Sequence, residues 1–182
     1  MKRFTDAVRQ SLESRNWYAA LTLTLTLPDI CGSIDHPGVK SGPRYIQWFD
    51  QHLRPFYTSE CLGRSRVFLT GADCFALRCS YLHAGADDTT DEWVKERYTK
   101  YHFTTTQGHL IDLYGVGLVL NVRQFCTEVC DAVDAWAQDR GRDEAVQKQF
   151  DGLLRIQTGA FSPVPGMTMN IAPDAECSPP SE

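Results

Sequence analysis

The chain has no run near the roughly 20 uninterrupted apolar residues of a membrane-spanning helix, so no membrane partner is expected. It lacks a glycine-rich phosphate loop, a Gly-x-Ser-x-Gly elbow and any internal repeat. These absences argue against nucleotide hydrolysis, serine-based acyl transfer and a solenoid. Positive charge is also scarce. Eighteen Lys and Arg against 23 Asp and Glu leave a formal net charge of −5. Such a surface gives no global attraction to nucleic acid, so any RNA contact must come from a local cluster of cations. The seven cysteines are odd in number and include no Cys-x-x-Cys pair, which argues against a disulfide framework and against a zinc site. Reduced thiols in a cytoplasmic protein are the expectation. A leader peptide is not expected either. The basic start Met1-Lys2-Arg3 is followed by Asp6 and Glu13, and Leu27-Pro28-Asp29-Ile30-Cys31 lacks small residues just before its cysteine.

What is present fits one mainly helical domain over residues 1–157, with a flexible tail at 158–182. At 182 residues and 42% hydrophobic, the chain can fill one core and is short for two. Phe4, Ala7, Val8 and Leu12 recur at helical spacing, which predicts a first helix over about 2–14. Asn16 is a cap for a second helix entering at Trp17. The stretch Leu21-Thr22-Leu23-Thr24-Leu25-Thr26-Leu27 alternates like a strand. It has no turn before it, however, and Trp17, Leu21 and Thr24 also stack at helical spacing, so helix is the better fit. Residues 31–43, rich in glycine and proline, read as a loop. Ser41 is then expected to cap a helix with Pro43 in its first turn, carrying Tyr45, Ile46, Trp48, Phe49 and Leu53. A basic connector holds Arg64 and Arg66. Residues 98–106 and 109–114 read as a β-hairpin, with a third short strand at 117–121. Helices follow over about 122–140 and 142–157. The acidic residues Asp87, Asp88, Asp91 and Glu92 read as a solvated turn.

One helix carries the chemically suggestive residues. Thr70-Gly71-Ala72-Asp73 resembles a capping box, and Gly85 stands where a left-handed cap belongs. At about 100° per residue, Ala72, Phe75, Ala76, Cys79 and Leu82 form one apolar arc. Cys74, Leu77 and Tyr81 form another, and Arg78 points out between them. A helix apolar nearly all round is normally buried, and a guanidinium there needs a carboxylate, a subunit interface or an anionic ligand. Asp29, Asp50 and Asp73 are the candidate carboxylates. His83 ends the helix, rotated by about 140° from Arg78, so the two share a groove only through a distorted last turn or across a two-fold axis.

Arginine, four residues, then histidine, on a helix that ends in glycine, here reads Leu77-Arg78-Cys79-Ser80-Tyr81-Leu82-His83-Ala84-Gly85. It resembles the signature of the HEPN superfamily. The resemblance implies a helical bundle, commonly a homodimer, that includes metal-independent endoribonucleases of toxin–antitoxin and antiviral systems. It implies that His83 moves the proton of a ribose 2′-hydroxyl and that Arg78 stabilises the charged phosphorus, with no cofactor. RNA, a second copy and an antitoxin or other protein are the partners it implies. Active members usually carry Asn, Asp or His directly after the arginine, and this chain carries Cys79. A catalytically silent RNA- or protein-interaction module is therefore the alternative. The segments Leu27-Pro28-Asp29-Ile30-Cys31-Gly32 and Arg44-Tyr45-Ile46-Gln47-Trp48-Phe49-Asp50 are similar to those of uncharacterised bacterial proteins with the same arginine–histidine helix.

Other residues fit plainer roles. Trp17, Trp48 and Trp136 fit apolar helix faces better than a stacking platform. Cys126 and Cys130, at i, i+4, fit a packed core better than a zinc site. His36, His52, His102 and His109 are dispersed.

Overall fold

The computed structural model describes residues 1–61, 63–85, 98–157 and 159–169. Among the described residues the fold is mainly helical, with six α-helices and a small three-stranded sheet inserted before the last two. Helix α2 (Trp17–Asp35) is the hub, packing against α1 (Lys2–Glu13), α3 (Ser41–His52), α4 (Gly71–Ala84) and α5 (Val122–Arg140). That position resolves the leucine–threonine alternation. A helix surrounded on several sides needs no clean apolar stripe, and Thr24 is buried along with Leu21, Leu25 and Leu27. The Thr24 hydroxyl donates to the Ala20 carbonyl oxygen at 2.7 Å, so its burial leaves no donor unmet.

Helix α2 also runs through the first five residues of the stretch expected as a loop. Pro28 lies inside it, and Gly32 permits a close crossing with α3. A Cβ at Gly32 would lie 2.7 Å from the Arg44 carbonyl oxygen. The expected cap of α3 is corrected too. Lys40 holds the N-cap position without a side-chain bond, because the Ser41 hydroxyl instead donates to Asp29 at 2.8 Å.

A 3-10 turn (Arg54–Tyr57) leads into a short hairpin where a connector was expected, with β1 (Thr58–Cys61) antiparallel to β2 (Arg64–Val67). The predicted hairpin over 98–114 is not formed. Strand β3 (Lys100–Thr104) runs parallel to β5 (Gly117–Asn121), β4 (Ile111–Leu113) runs antiparallel to β5, and the order is β3-β5-β4. The physical reason lies in burial and turn chemistry. Leu118 and Leu120 are fully buried, which sends β5 to the middle. Tyr114 and Gly115 take positive φ, and Asp112 accepts the Gly115 N–H at 2.6 Å, so the chain folds tightly from β4 into β5.

Asn121 caps α5 by accepting the Gln124 N–H. Trp136 of α5 meets Trp48 of α3 edge-on, with ring centroids 6.0 Å apart, deep in the core. Helix α6 (Glu144–Gly152) is capped by Asp143 and stops short of the expected end at 157. Beyond it, Leu154 and Ile156 are exposed, and Phe161 and Met169 form an isolated antiparallel bridge. The expected acidic turn lies outside the described residues. Among the described residues, no helix is long and apolar enough to cross a membrane.

Candidate functional site

Helix α4 is fixed at both ends by the groups its sequence supplies. Thr70 accepts the Asp73 N–H, and the Asp73 carboxylate accepts the Thr70 N–H at 3.1 Å, completing the capping box. Asp50 of α3 accepts the Gly71 N–H at 2.7 Å. A Cβ at Gly71 would lie 2.5 Å from the Ile46 carbonyl oxygen, so glycine is what lets α4 start against the α3 backbone. Gly85 closes the helix at φ 65°, in the left-handed region.

The two apolar arcs expected on this helix are covered unequally, and Tyr81 of the second is half-buried like most of the first. Cys74 and Leu77 are buried, together with Asp73 and Ala76. Ala72, Phe75, Cys79 and Leu82 are only half-buried. The helix is thus not buried all round, and one apolar strip reaches its outer side.

Arg78 stands beside this strip and faces α2. Its Nη2 lies 3.5 Å from Asp29 Oδ2, with the two side chains 20% and 16% exposed. Asp29 is more closely held by its other neighbours. Arg44 Nε donates to Oδ1 at 2.7 Å, and the Ser41 hydroxyl donates to Oδ2. Two guanidinium groups therefore share one carboxylate, and the cluster carries a formal charge of +1. Arg78 has donors to spare. Its Nη1 reaches only the Cys79 sulfur, at 3.9 Å, and its Nε is buried without a hydrogen-bond partner. The guanidinium carbon also lies 5.8 Å from the centre of the Phe75 ring.

Of the three candidate carboxylates, then, the structure brings Asp29 to Arg78 and gives Asp50 and Asp73 to the start of α4. Arg44 is the member that sequence reasoning missed. Nothing in its local pattern separates it from a surface arginine, and only the crossing of α2 and α3 brings it to Asp29. His83 is exposed on the last turn. On the helix wheel it flanks the half-buried strip on the side opposite Arg78. A single protomer therefore does not bring the guanidinium and the imidazole together.

A second polar cluster ties the sheet to α5. The Tyr57 hydroxyl donates to Glu128 at 2.8 Å, Gln124 donates to its other oxygen at 2.9 Å, and His109 Nε2 lies 3.4 Å from Glu128. His109 Nδ1 accepts the Asn121 N–H at 3.2 Å, which places the ring proton on Nε2, toward the carboxylate. Partial burial alone would raise the Glu128 pKa, but the His109 imidazole beside it and the hydrogen bonds from Gln124 and Tyr57 outweigh it and hold the carboxyl below its usual range. His109 Nδ1 is committed to the Asn121 N–H, and Nε2 is buried against Glu128 without meeting hydrogen-bond geometry, so this cluster reads as a structural joint. Among the described residues, no group of three or more His, Cys, Asp or Glu could hold a metal ion.

Comparison with protein-family profiles, with curated proteins and with solved structures returned no match.

Proposed function

We propose that this chain is a HEPN-like module that works as a homodimer and cleaves RNA without a metal, with Arg78 and His83 in a groove completed by a second copy. The observation that carries the reading is the half-buried strip on α4. Ala72, Phe75, Cys79 and Leu82 follow a three-four-three spacing, which is the pattern of a helix that packs along a seam. Arg78 lines one flank of that seam and His83 the other. Packing two such seams together would gather two guanidinium groups and two imidazoles around one groove. The chemistry fits those groups. One imidazole takes the proton of a ribose 2′-hydroxyl, and the 2′-oxygen attacks phosphorus. The departing 5′-oxygen takes a proton from the second imidazole, leaving a cyclic phosphate. The spare donors of Arg78, backed by Arg44, stabilise the extra negative charge on the phosphoryl oxygens.

A second reading, a catalytically silent module that docks RNA or a protein such as an antitoxin, is favoured by two observations. Arg78 already has an ion-pair partner in Asp29, and Cys79 occupies the position that carries a polar side chain in active relatives of the motif.

Purified protein incubated with total RNA in EDTA, beside Arg78→Ala and His83→Ala, separates the two. Cleavage that resists the chelator and disappears in both variants, with their circular dichroism unchanged, supports the enzyme. Equal residual cleavage by all three marks contamination and leaves the silent module. The first reading also requires a dimer by light scattering at assay concentration.

A further inference from the structure

A cavity of about 500 Å³ lies between α2, α4 and β3 at the C-terminal end of α4. Its walls are Tyr18 and Leu21 of α2, Leu77, Tyr81 and Gly85 on the α4 side, and Tyr101, His102 and Phe103 of β3. The connection to Arg78 follows from α2. Thr22 and Asp29 lie seven residues apart, two turns along one face of that helix. Each touches α4, since the Thr22 hydroxyl lies 3.4 Å from the Tyr81 hydroxyl and Asp29 lies 3.5 Å from Arg78. The guanidinium and the aromatic cavity therefore lie along the same α2–α4 contact, about 10 Å apart measured along α2.

We propose that this cavity receives an unstacked base of single-stranded RNA, with the adjoining phosphate directed toward Arg78. The inference rests on the RNA reading above and names where that RNA lies. Three observations carry it. First, the lining is aromatic in kind, and Tyr18 is 77% exposed. An exposed tyrosine on a cavity whose walls also include Tyr81, Tyr101, Phe103 and His102, beside Leu21 and Leu77, offers a planar ring flat faces to stack on. Second, none of the described residues that line the cavity is a carboxylate. Three other cavities among the described residues hold Asp35, Asp131 and Asp139, or Asp134 and Asp151, or Glu128. In a chain of net charge −5, described walls without a carboxylate do not add to the repulsion of a polyanion. Third, the polar atoms it offers are neutral hydroxyls and an imidazole. These suit the hydrogen-bonding edge of a base and leave charge recognition to Arg78 at the far end.

The test uses the full chain and a fluorescein-labelled, single-stranded 2′-O-methyl oligonucleotide of eight residues, which lacks the free 2′-hydroxyl needed for cleavage. Affinity is measured by anisotropy in EDTA for the wild type, Tyr18→Ala, Tyr18→Trp, His102→Ala and Tyr114→Ala. Tyr18 and His102 are exposed, so their removal spares the core. Tyr114 is fully exposed on the β4–β5 turn and serves as a control aromatic. Loss of one stacking partner is expected to weaken binding about 5- to 100-fold in Tyr18→Ala, and by a smaller factor in His102→Ala. Tyr18→Trp and Tyr114→Ala are expected to bind like the wild type. The proposal is overturned if the probe does not bind the wild type, if Tyr18→Ala binds as well as the wild type, or if Tyr114→Ala loses as much. Failure here is distinct from failure of the catalytic reading. Tyr18-dependent binding without cleavage of natural RNA keeps the base site and removes the nuclease. Cleavage that needs Arg78 and His83 but ignores Tyr18 does the reverse.

Discussion

Arg78 Nη2 stands 3.5 Å from the same Asp29 oxygen that accepts the Ser41 hydroxyl at 2.8 Å, so the arginine of the motif is the loosest of the groups held by this carboxylate. The arrangement predicts an order of stabilities. Arg78→Ala should cost less than about 1 kcal/mol, as for a partly solvated ion pair. Arg44→Ala should cost about 1–3 kcal/mol, because it removes the short 2.7 Å bond to a carboxylate that is largely out of water. Asp29→Ala should cost the most, since both guanidinium groups lose their anion. Urea denaturation of the three variants checks the order. Arg78→Ala emerging as the most damaging would make that residue a structural ion.

The seam on α4 has a consequence for assembly. Leu82 is half-buried in one protomer, so placing a carboxylate there should leave the fold intact and dissociate a dimer that packs along this strip. Leu82→Asp is expected to elute as a folded monomer under conditions where the wild type is dimeric. A variant that stays dimeric would move the contact elsewhere on the surface.

Two crossings depend on the absence of a side chain. A methyl group at Gly32 meets the Arg44 backbone, and one at Gly71 meets the Ile46 backbone; neither neighbour is the end of a flexible side chain that could swing away. Gly32→Ala and Gly71→Ala should each lower stability by about 2 kcal/mol or more. Gly152→Ala, with nothing within 4 Å of its added carbon, should be close to neutral. Thermal melts of the three variants compare them directly.

Acid should destabilise the protein in two stages. Burial lowers the His52 pKa from its ordinary 6.5. Below that value the unfolded chain takes up a proton that the folded one resists, and stability falls with pH. Glu128 has a folded pKa held below its ordinary 4.5. Its contribution is complete above 4.5 and is lost as pH falls through the folded value. Glu128→Gln should therefore be less stable than wild type at pH 7, by about 1–2 kcal/mol, with the gap closing toward pH 3. A gap that persists at pH 3 would remove the carboxylate charge as its cause.

The thiols should divide sharply in reactivity. Burial pushes Cys74 and Cys130 up to about 12 and Cys126 up to about 11, and raises Cys31 as well. All four therefore stay protonated and covered near neutral pH. Cys79 is half-buried on the α4 strip. Brief iodoacetamide treatment at pH 7.5, read by peptide mass spectrometry, should label Cys79 ahead of these four. Denaturant should bring them all to similar labelling.

Local chemistry was the legible part of this chain. The capping box at Thr70 and Asp73, the left-handed cap at Gly85, and the cap at Asn16 depend on groups a few residues apart, and the element type follows from them. The path of α2 beyond Cys31 was not legible, because Pro28 and Gly32 are locally helix-breaking. Their place is set by α3 passing close by. The sheet order was misread for a related reason. Residues 98–106 and 109–114 are near in sequence and rich in strand formers, but β5 holds the more buried side chains and takes the centre. At the site, the motif marked Arg78 and His83, whereas Arg44 and the aromatic cavity are products of helix crossing. Nearest-neighbour pattern carries no record of that.

The β3-β5-β4 order also bears on how the protein is made. During synthesis β3 emerges first, yet the strand it pairs with in parallel leaves the ribosome only after β4 and its turn. Until then the backbone amides of β3 have no ladder to join. Strand β3 therefore cannot dock until β5 has emerged, so one wall of the aromatic cavity, Tyr101 to Phe103, is set in place only after the chain has been made through Asn121.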